Sequence, residues 1–255
     1  PVVLHDAEFD PRAVAELSAR RGATIASLVP AQLDALIDHA PRWRAVLVGG
    51  AAASPAVLAR AAAHGIPALV SYGLTEAFGQ LATARAPGEP PRALPGVELA
   101  GGTREAPAAI RVRAAMLATR YLDGAAIAPE LVTADLGFVE HGALHVVGRR
   151  DDVIISGGEN VHPAEIEAVL AATPGVSGAC VFGVPDARWG QLVGAALAVD
   201  ARFDRAAALA RWHAALPAHA RPRRLAACTA LPVLASGKPD RRAAAALASE
   251  PVEYP

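Results

Sequence analysis

The sequence predicts a mixed α/β chain: a layer of βα units, then a β-rich region, then a small α+β domain. Three observations carry that reading. Short apolar runs alternate with helix-like segments over the first third. Glycine and proline crowd residues 84–102. The pattern changes again after Gly148. Short, fully apolar strands separated by helices are the signature of a parallel sheet covered by helices.

Asp10-Pro11 opens the first helix, with an acid at the N-cap and proline where a missing N–H costs nothing. That helix runs to about Arg21 and stops at Gly22. Residues 24–29 form a short buried strand, 31–39 a helix, and 45–48 a strand ending on Gly49-Gly50. Ser54-Pro55 repeats the capping pattern and starts a helix to about His64, with Gly65 as its stop. Residues 68–71 are the next strand. Residues 84–102 are loop or sheet edge. Residues 108–113 and 142–147 read as strands of the β-rich region. After Arg149-Arg150-Asp151-Asp152 comes a strand at 153–156, then Gly157-Gly158, and a helix from His162-Pro163 to about Ala172. Strands at 179–184 and 192–199, a helix at 204–216, a strand at 225–228 and a helix at 240–249 complete the chain. The domain boundary is placed at 148/149, giving domains 1–148 and 149–255. No internal repeat is visible. The opening Pro1-Val2-Val3-Leu4 reads like the middle of a strand, and the only methionine is Met116. The sequence is therefore expected to be the later part of a longer protein, and it shows no signal peptide.

The 255 residues suffice to bury a full core. A net charge of -1 gives no electrostatic case for a nucleic-acid partner. Hydrophobic residues make up 53%, but much of that is alanine, and no apolar run is long enough to span a bilayer. Cys180 and Cys228 lie far apart and match no metal or redox motif, so both are expected reduced and buried in a cytoplasmic protein. The eight histidines show no metal spacing. His141 and His145 are four apart but flank a strand turn rather than lying on a helix.

The chain has one lysine, Lys238. Lys is a compact point charge on a flexible stem, whereas Arg is a planar fork. An ammonium suits charge building on one small cluster of oxygens, as in phosphoryl or acyl-phosphate chemistry. A chance survivor on a surface loop is the bland alternative. Gly49-Gly50 follows a strand and precedes a helix, where a ligand could approach the backbone, or the pair is a plain βα turn. Ser71-Tyr72-Gly73-Leu74-Thr75-Glu76 offers an aromatic face, a glycine, a hydroxyl and a carboxylate suited to Mg²⁺. Its bland reading is a loop with a buried tyrosine and a capping threonine. Thr133-Ala134-Asp135-Leu136-Gly137 places an Asp in a turn, able to accept both ribose hydroxyls or to close the turn on its own backbone. Asp151 and Asp152 at the domain junction form a solvated linker or a hinge. Glu165 and Glu167 read as surface acids near a helix start, and His162 as a helix cap.

Taken in order, Tyr-Gly-Leu-Thr-Glu, Thr-x-Asp-Leu-Gly, Gly-Arg-x-Asp-Asp…Gly-Gly-Glu-Asn and Ser-Gly-Lys-x-Asp-Arg resemble the adenylate-forming superfamily of acyl- and aryl-CoA ligases, peptide-synthetase adenylation domains and luciferases. Pro185-Asp186…Trp189-Gly190-Gln191 is similar to the CoA-ligase branch. The resemblance implies that residues 1–148 are the C-terminal part of a large adenylating domain and that 149–255 form a small mobile lid. It implies ATP and Mg²⁺ as cofactors, coenzyme A as co-substrate and a small carboxylic acid as substrate. Tyr72 would stack on adenine, with Gly49, Gly50 and Gly73 lining the nucleotide pocket. Thr75 would contact phosphate and Glu76 would hold the metal. Asp135 would bind ribose, Arg149 the nucleotide, and Asp151 would be the hinge. Lys238 would bridge the acid carboxylate and the α-phosphate. The Gly157-Gly158 loop would reach the site for the thioester step. The family's phosphate loop is not in the sequence and would lie upstream of Pro1, and Ala134 stands where the family commonly has Gly.

The implied activity is an AMP-forming acid–CoA ligase, with 2-succinylbenzoate of menaquinone synthesis as the preferred acid. The alternatives are an aryl- or fatty-acid–CoA ligase, a peptide-synthetase module, or a non-catalytic nucleotide- or CoA-binding fragment. The oligomeric state stays open, a homo-oligomer included.

Overall fold

The computed structural model describes residues 2–3, 9–234, 238–248 and 250–254. The chain divides into two compact units. The first holds Pro1–Thr133 and Gly137–Val146, the second Ala134–Leu136 and Val147–Pro255.

In the first unit, helix α1 (Pro11–Arg21) starts on Asp10, whose carboxylate accepts from Ala13 N–H at 2.7 Å. It ends at Gly22 in a left-handed conformation at φ 63°. Strand β1 (Ile25–Leu28), helix α2 (Pro30–Leu36), strand β2 (Ala45–Val48), helix α3 (Pro55–Ala63) and strand β3 (Ala68–Leu74) follow. β1, β2 and β3 are parallel neighbours, as the sequence predicts. Their core packs Leu33, Leu36, Val46, Val48 and Ala61, all essentially inaccessible, around Trp43. Apolar burial of this kind stabilises by about 25 cal/mol per Å².

β3 then turns antiparallel to β4 (Gly79–Thr83), through a 3₁₀ turn at Thr75–Ala77. β5 (Arg92–Ala93), β6 (Val97–Ala100), β7 (Ala108–Ala114), β8 (Leu131–Glu140) and β9 (Ala143–Arg149) complete a nine-stranded sheet. The order is β1-β2-β3-β4-β5-β9-β8-β7-β6. Leu81, Ile110, Val112 and Leu144 form the core of the β-rich part.

The second unit holds β10 (Ile154–Ser156), β11 (Glu159–Val161), α4 (Pro163–Ala171), β12 (Val176–Asp186), β13 (Gly190–Val199), α5 (Arg205–Ala215), β14 (Arg224–Cys228), α6 (Arg241–Leu247) and β15 (Glu250–Pro251). Its sheet runs β11-β10-β13-β14-β15, with β12 also on β13. Trp212 of α5 is fully buried among Leu170, Leu197 and Leu225, and its indole N–H donates to Thr173 Oγ1 at 2.9 Å.

The structure corrects several sequence expectations. Asp135 lies inside the ten-residue strand β8, not in a turn. Asp and Gly in that segment read as turn signals, yet Thr133, Asp135 and Gly137 share one buried face. Ser71–Leu74 continues β3 instead of following it. Val2 and Val3 are not in a strand, while Pro1, Leu4 and Ser249 lie outside the described residues. The compact division falls at Val146/Val147, two residues before the expected junction, with Ala134–Leu136 grouped in the second unit.

Both cysteines are free; Cys180 is buried, but Cys228 is only half-buried and its thiol faces Leu197 C=O at 3.2 Å. Burial pushes the Cys180 thiol up to about 11. At pH 8 a thiol with that value is ionised in about one molecule in a thousand, and the thiolate is the nucleophile. Iodoacetamide at pH 8 is therefore expected to label Cys228 at least about tenfold faster than Cys180, read by peptide mass mapping. Equal rates would show that Cys180 is reachable and ionised.

Among the described residues, no helix is long and apolar enough to cross a membrane.

Candidate nucleotide and acyl-transfer site

The first group of predicted site residues gathers at the carboxyl ends of β2 and β3. In open α/β sheets this is where ligand crevices form. Gly49 sits directly against Ser71: a Cβ at Gly49 would stand 2.5 Å from Ser71 Oγ, which itself donates to Val48 C=O at 3.2 Å. Gly49 N–H donates to Leu28 C=O at 3.2 Å. Gly50 has φ 79°, the left-handed region that favours glycine. Close packing and backbone direction therefore explain both glycines without a ligand.

Gly73 has an equally local cause. An added Cβ would lie 2.0 Å from Gly79 C=O, at the point where the β3–β4 register shifts. Tyr72 beside it is half-buried and packs its ring on the β-rich core. Thr75 is exposed at the start of the 3₁₀ turn. Glu76 follows, half-buried, with its backbone C=O accepting from Ala118 N–H at 2.7 Å.

Sequence reasoning missed the partner of Glu76. Tyr121 OH donates to Glu76 Oε1 at 3.1 Å, and this hydrogen bond raises the phenol above its ordinary range. The donor lies 45 residues along, so no local spacing signals it. Among the described residues no cluster of three or more His, Cys, Asp or Glu could hold a metal. That donor set still fits Mg²⁺ brought in with a nucleotide, because Mg²⁺ keeps several waters and commonly takes one or two carboxylates beside phosphate oxygens. Glu76, with one oxygen held by Tyr121, would be that carboxylate. Tyr121→Phe is expected to weaken Mg²⁺-dependent ATP binding by about threefold to tenfold and to leave metal-free nucleotide binding unchanged. Calorimetric titration with and without Mg²⁺ checks this, and equal weakening in both arms would show that Tyr121 only shapes the loop.

The second group lies in the second unit. Asp135 is 8% exposed, and Arg149 Nη1 donates to its Oδ1 at 3.0 Å. Arg149 Nη2 also lies 3.8 Å from Asp151 Oδ2. A buried carboxylate is costly unless it is paired and hydrogen-bonded. Asp135, Arg149 and Asp151, selected separately along the sequence, are thus one charge-paired group. The arrangement holds a carboxylate rigidly on a strand with a guanidinium beside it, suited to hydroxyls and phosphate respectively.

Gly157 and Gly158 form a two-residue turn joining β10 and β11, at φ 63° and 87°. Two consecutive positive φ values are the demand of a tight type I′ hairpin. A Cβ on Gly157 would meet the Trp189 ring at 2.8 Å, and Gly157 N–H donates to Trp189 C=O at 2.9 Å. His162 occupies the N-cap position of α4 but makes no side-chain cap hydrogen bond. Its Nδ1 is buried without a partner among the described residues.

Lys238 is exposed; Ser236 and Gly237 of its motif lie outside the described residues. Glu167 departs from its expected role as a surface acid. It is half-buried and accepts from Val181 N–H at 2.9 Å and from Arg241.

Residues 1–103 match the family described as AMP-binding enzyme, and residues 165–238 match the AMP-binding enzyme C-terminal domain. A 2-succinylbenzoate–CoA ligase of Listeria monocytogenes is 32% identical over 263 residues, covering 94% of this chain and 55% of that protein. A feruloyl-CoA synthase of an Amycolatopsis species is 34% identical, covering 93% and 54%. Among solved structures, O-succinylbenzoate coenzyme A synthetase from Bacillus subtilis in complex with ATP and magnesium superposes with a TM-score of 0.78 at 28% identity, covering 93% of this chain and 54% of that one. Another structure of that synthetase holds its acyl-adenylate intermediate. The chain spans about half the length of the curated relatives it matches. Two family domains in register, on a mixed α/β fold shared with these ligases, show that the chain belongs to the AMP-binding enzyme family.

Proposed function

We propose that the protein is an ATP-dependent acid–CoA ligase, acting in the cytoplasm, with 2-succinylbenzoate as its acid. The observation that carries the nucleotide reading is the buried carboxylate of Asp135 on β8, held by Arg149 of β9. The choice of acid rests on the named ligases among the relatives and on their likeness over most of this chain.

In the first step an oxygen of the substrate carboxylate forms a bond to the α-phosphorus of ATP. The bond from that phosphorus to the bridging oxygen breaks, and pyrophosphate leaves with the electron pair. Lys238 neutralises charge shared between the carboxylate and the α-phosphate. Asp135 accepts from the ribose hydroxyls, Arg149 faces the nucleotide phosphate, Tyr72 stacks on the base, and Gly49, Gly50 and Gly73 line its pocket. Thr75 donates to phosphate, and Glu76 would hold Mg²⁺, which when bound neutralises charge on the departing pyrophosphate. In the second step the sulfur of coenzyme A forms a bond to the acyl carbon, the bond from that carbon to the AMP phosphate oxygen breaks, AMP leaves with the electron pair, and the thiol proton is released to water. The two steps need different groups at one carbon, so the part of the chain that follows Asp151 turns about that residue, withdrawing Lys238 and presenting the Gly157-Gly158 turn.

Acid-dependent ATP–pyrophosphate exchange tests the reading, measured on this chain and on any longer polypeptide containing it. The panel is 2-succinylbenzoate, ferulate, substituted benzoates and medium-chain fatty acids. Exchange with 2-succinylbenzoate, followed by thioester on adding coenzyme A, is the expected result. Exchange with another acid moves the substrate class. Nucleotide binding with no exchange for any acid supports the non-catalytic alternative.

A further inference from the structure

The described residues on either side of 235–237 are tied to one another. Leu234 N–H donates to Lys238 C=O at 2.8 Å, and Asp240 N–H donates to Pro232 C=O at 2.9 Å. Val233 and Pro239 form an antiparallel bridge across it. Helix α6 begins at once, capped by Asp240 Oδ1 accepting from Ala243 N–H at 3.0 Å. The first residue of α6 is Arg241, three positions after Lys238.

The Arg241 side chain is 30% exposed and reaches three separate elements. Its Nε lies 3.3 Å from Asp152 Oδ2, in the 3₁₀ turn Arg150–Asp152 that also holds Asp151. Its Nη1 donates to Glu167 of α4 and, at 2.6 Å, to Val181 C=O of β12. Glu167 Oε1 is fixed in turn by Val181 N–H at 2.9 Å. A planar guanidinium can point several donors in fixed directions at once, which an ammonium cannot.

Two of these contacts, to Glu167 and Val181, already tie α6 to the rest of the unit. The contact to Asp152 does something else: it joins the start of α6 to the turn beside Asp151. We propose that Arg241 is a positioning residue for Lys238, locking the Lys238 loop to the Arg150–Asp152 turn so that the ammonium and the hinge move as one piece. The catalytic consequence rests on the adenylation reading above; the mechanical link does not. A loosely held Lys238 would sample many positions, and a charge acts on a developing transition state only where it is held ready.

Asp152→Ala and Arg241→Lys test this, the first removing the hinge contact alone and the second keeping the charge without the fork. Amide hydrogen exchange, melting temperature and the two half-reactions are followed in each. In Asp152→Ala the Leu234 and Asp240 amides are expected to exchange at least about tenfold faster, with β12 and β13 unchanged and little change in melting temperature. ATP–pyrophosphate exchange is expected to fall about tenfold, while thioester formation from supplied acyl-adenylate stays within about twofold. Arg241→Lys is expected to show the same split. Unchanged exchange at Leu234 and Asp240, or equal loss of both half-reactions, overturns the proposal. Absence of pyrophosphate exchange in the unmutated protein would overturn the adenylation reading instead, and the hydrogen-exchange result would then decide the link by itself.

Discussion

Lys238→Ala is expected to lower acid-dependent ATP–pyrophosphate exchange by about 10²- to 10³-fold, the usual cost of removing one preorganised donor from a developing oxyanion. Lys238 is the single lysine of the chain and is solvent-exposed. No fold-stabilising ion pair to it is seen among the described residues, so melting temperature should change by no more than a few degrees. Thioester formation from supplied acyl-adenylate should fall far less, because charge no longer builds at the α-phosphate in that step. Lys238→Arg should rescue poorly, since a planar fork does not replace a compact ammonium. Rapid-quench measurement of the two steps separates these outcomes. Equal loss in both would assign Lys238 to a role other than adenylation.

Trp212→Ala should be the most destabilising single change in the second unit, at about 3–5 kcal/mol. Trp212 is fully buried at the centre of that unit's largest core cluster. Truncation leaves a void in the cluster that also holds Leu170, Leu197 and Leu225, and strips Oγ1 of Thr173, a residue only 6% exposed, of its indole donor. Losing one partner of a buried hydrogen bond adds to the cavity cost. Trp212→Phe keeps most of the volume and should cost distinctly less. Trp189, 46% exposed, serves as the control: Trp189→Ala should cost under about 1 kcal/mol. Urea unfolding monitored by circular dichroism checks the ranking. Similar costs for the two tryptophans would contradict the burial described here.

The first third of the fold was the most legible part of the sequence. Asp10-Pro11 and Ser54-Pro55 carry local cap chemistry, and the structure shows both side chains accepting the expected N–H. Strand β8 was illegible because Asp135 and Gly137, read locally, are turn formers. What keeps them in a strand is long-range: Arg149 pairs with the carboxylate, and a Cβ at Gly137 would lie 2.3 Å from His145 C=O. β4 was missed because Gly79-Gln80-Leu81-Ala82-Thr83 has little β-branched character, yet Leu81 and Ala82 are fully buried by the strands around them. The candidate site divides in the same way. Motif order brought out Tyr72, Glu76, Asp135, Arg149 and Lys238. Tyr121 and Arg241's link to Asp152 went unread, since their partners lie 45 and 89 residues away.

The grouping of Ala134–Leu136 with the second unit bears on how this family can be recombined. A chimera spliced at residue 147 would carry a foreign residue at the Arg149 position while retaining the host's Asp135. Each parent's acid–base pair would then be split between two ancestries. The fusions that keep a matched pair take residues 134–136 from the same donor as 147–255, a three-residue graft upstream of the obvious joint.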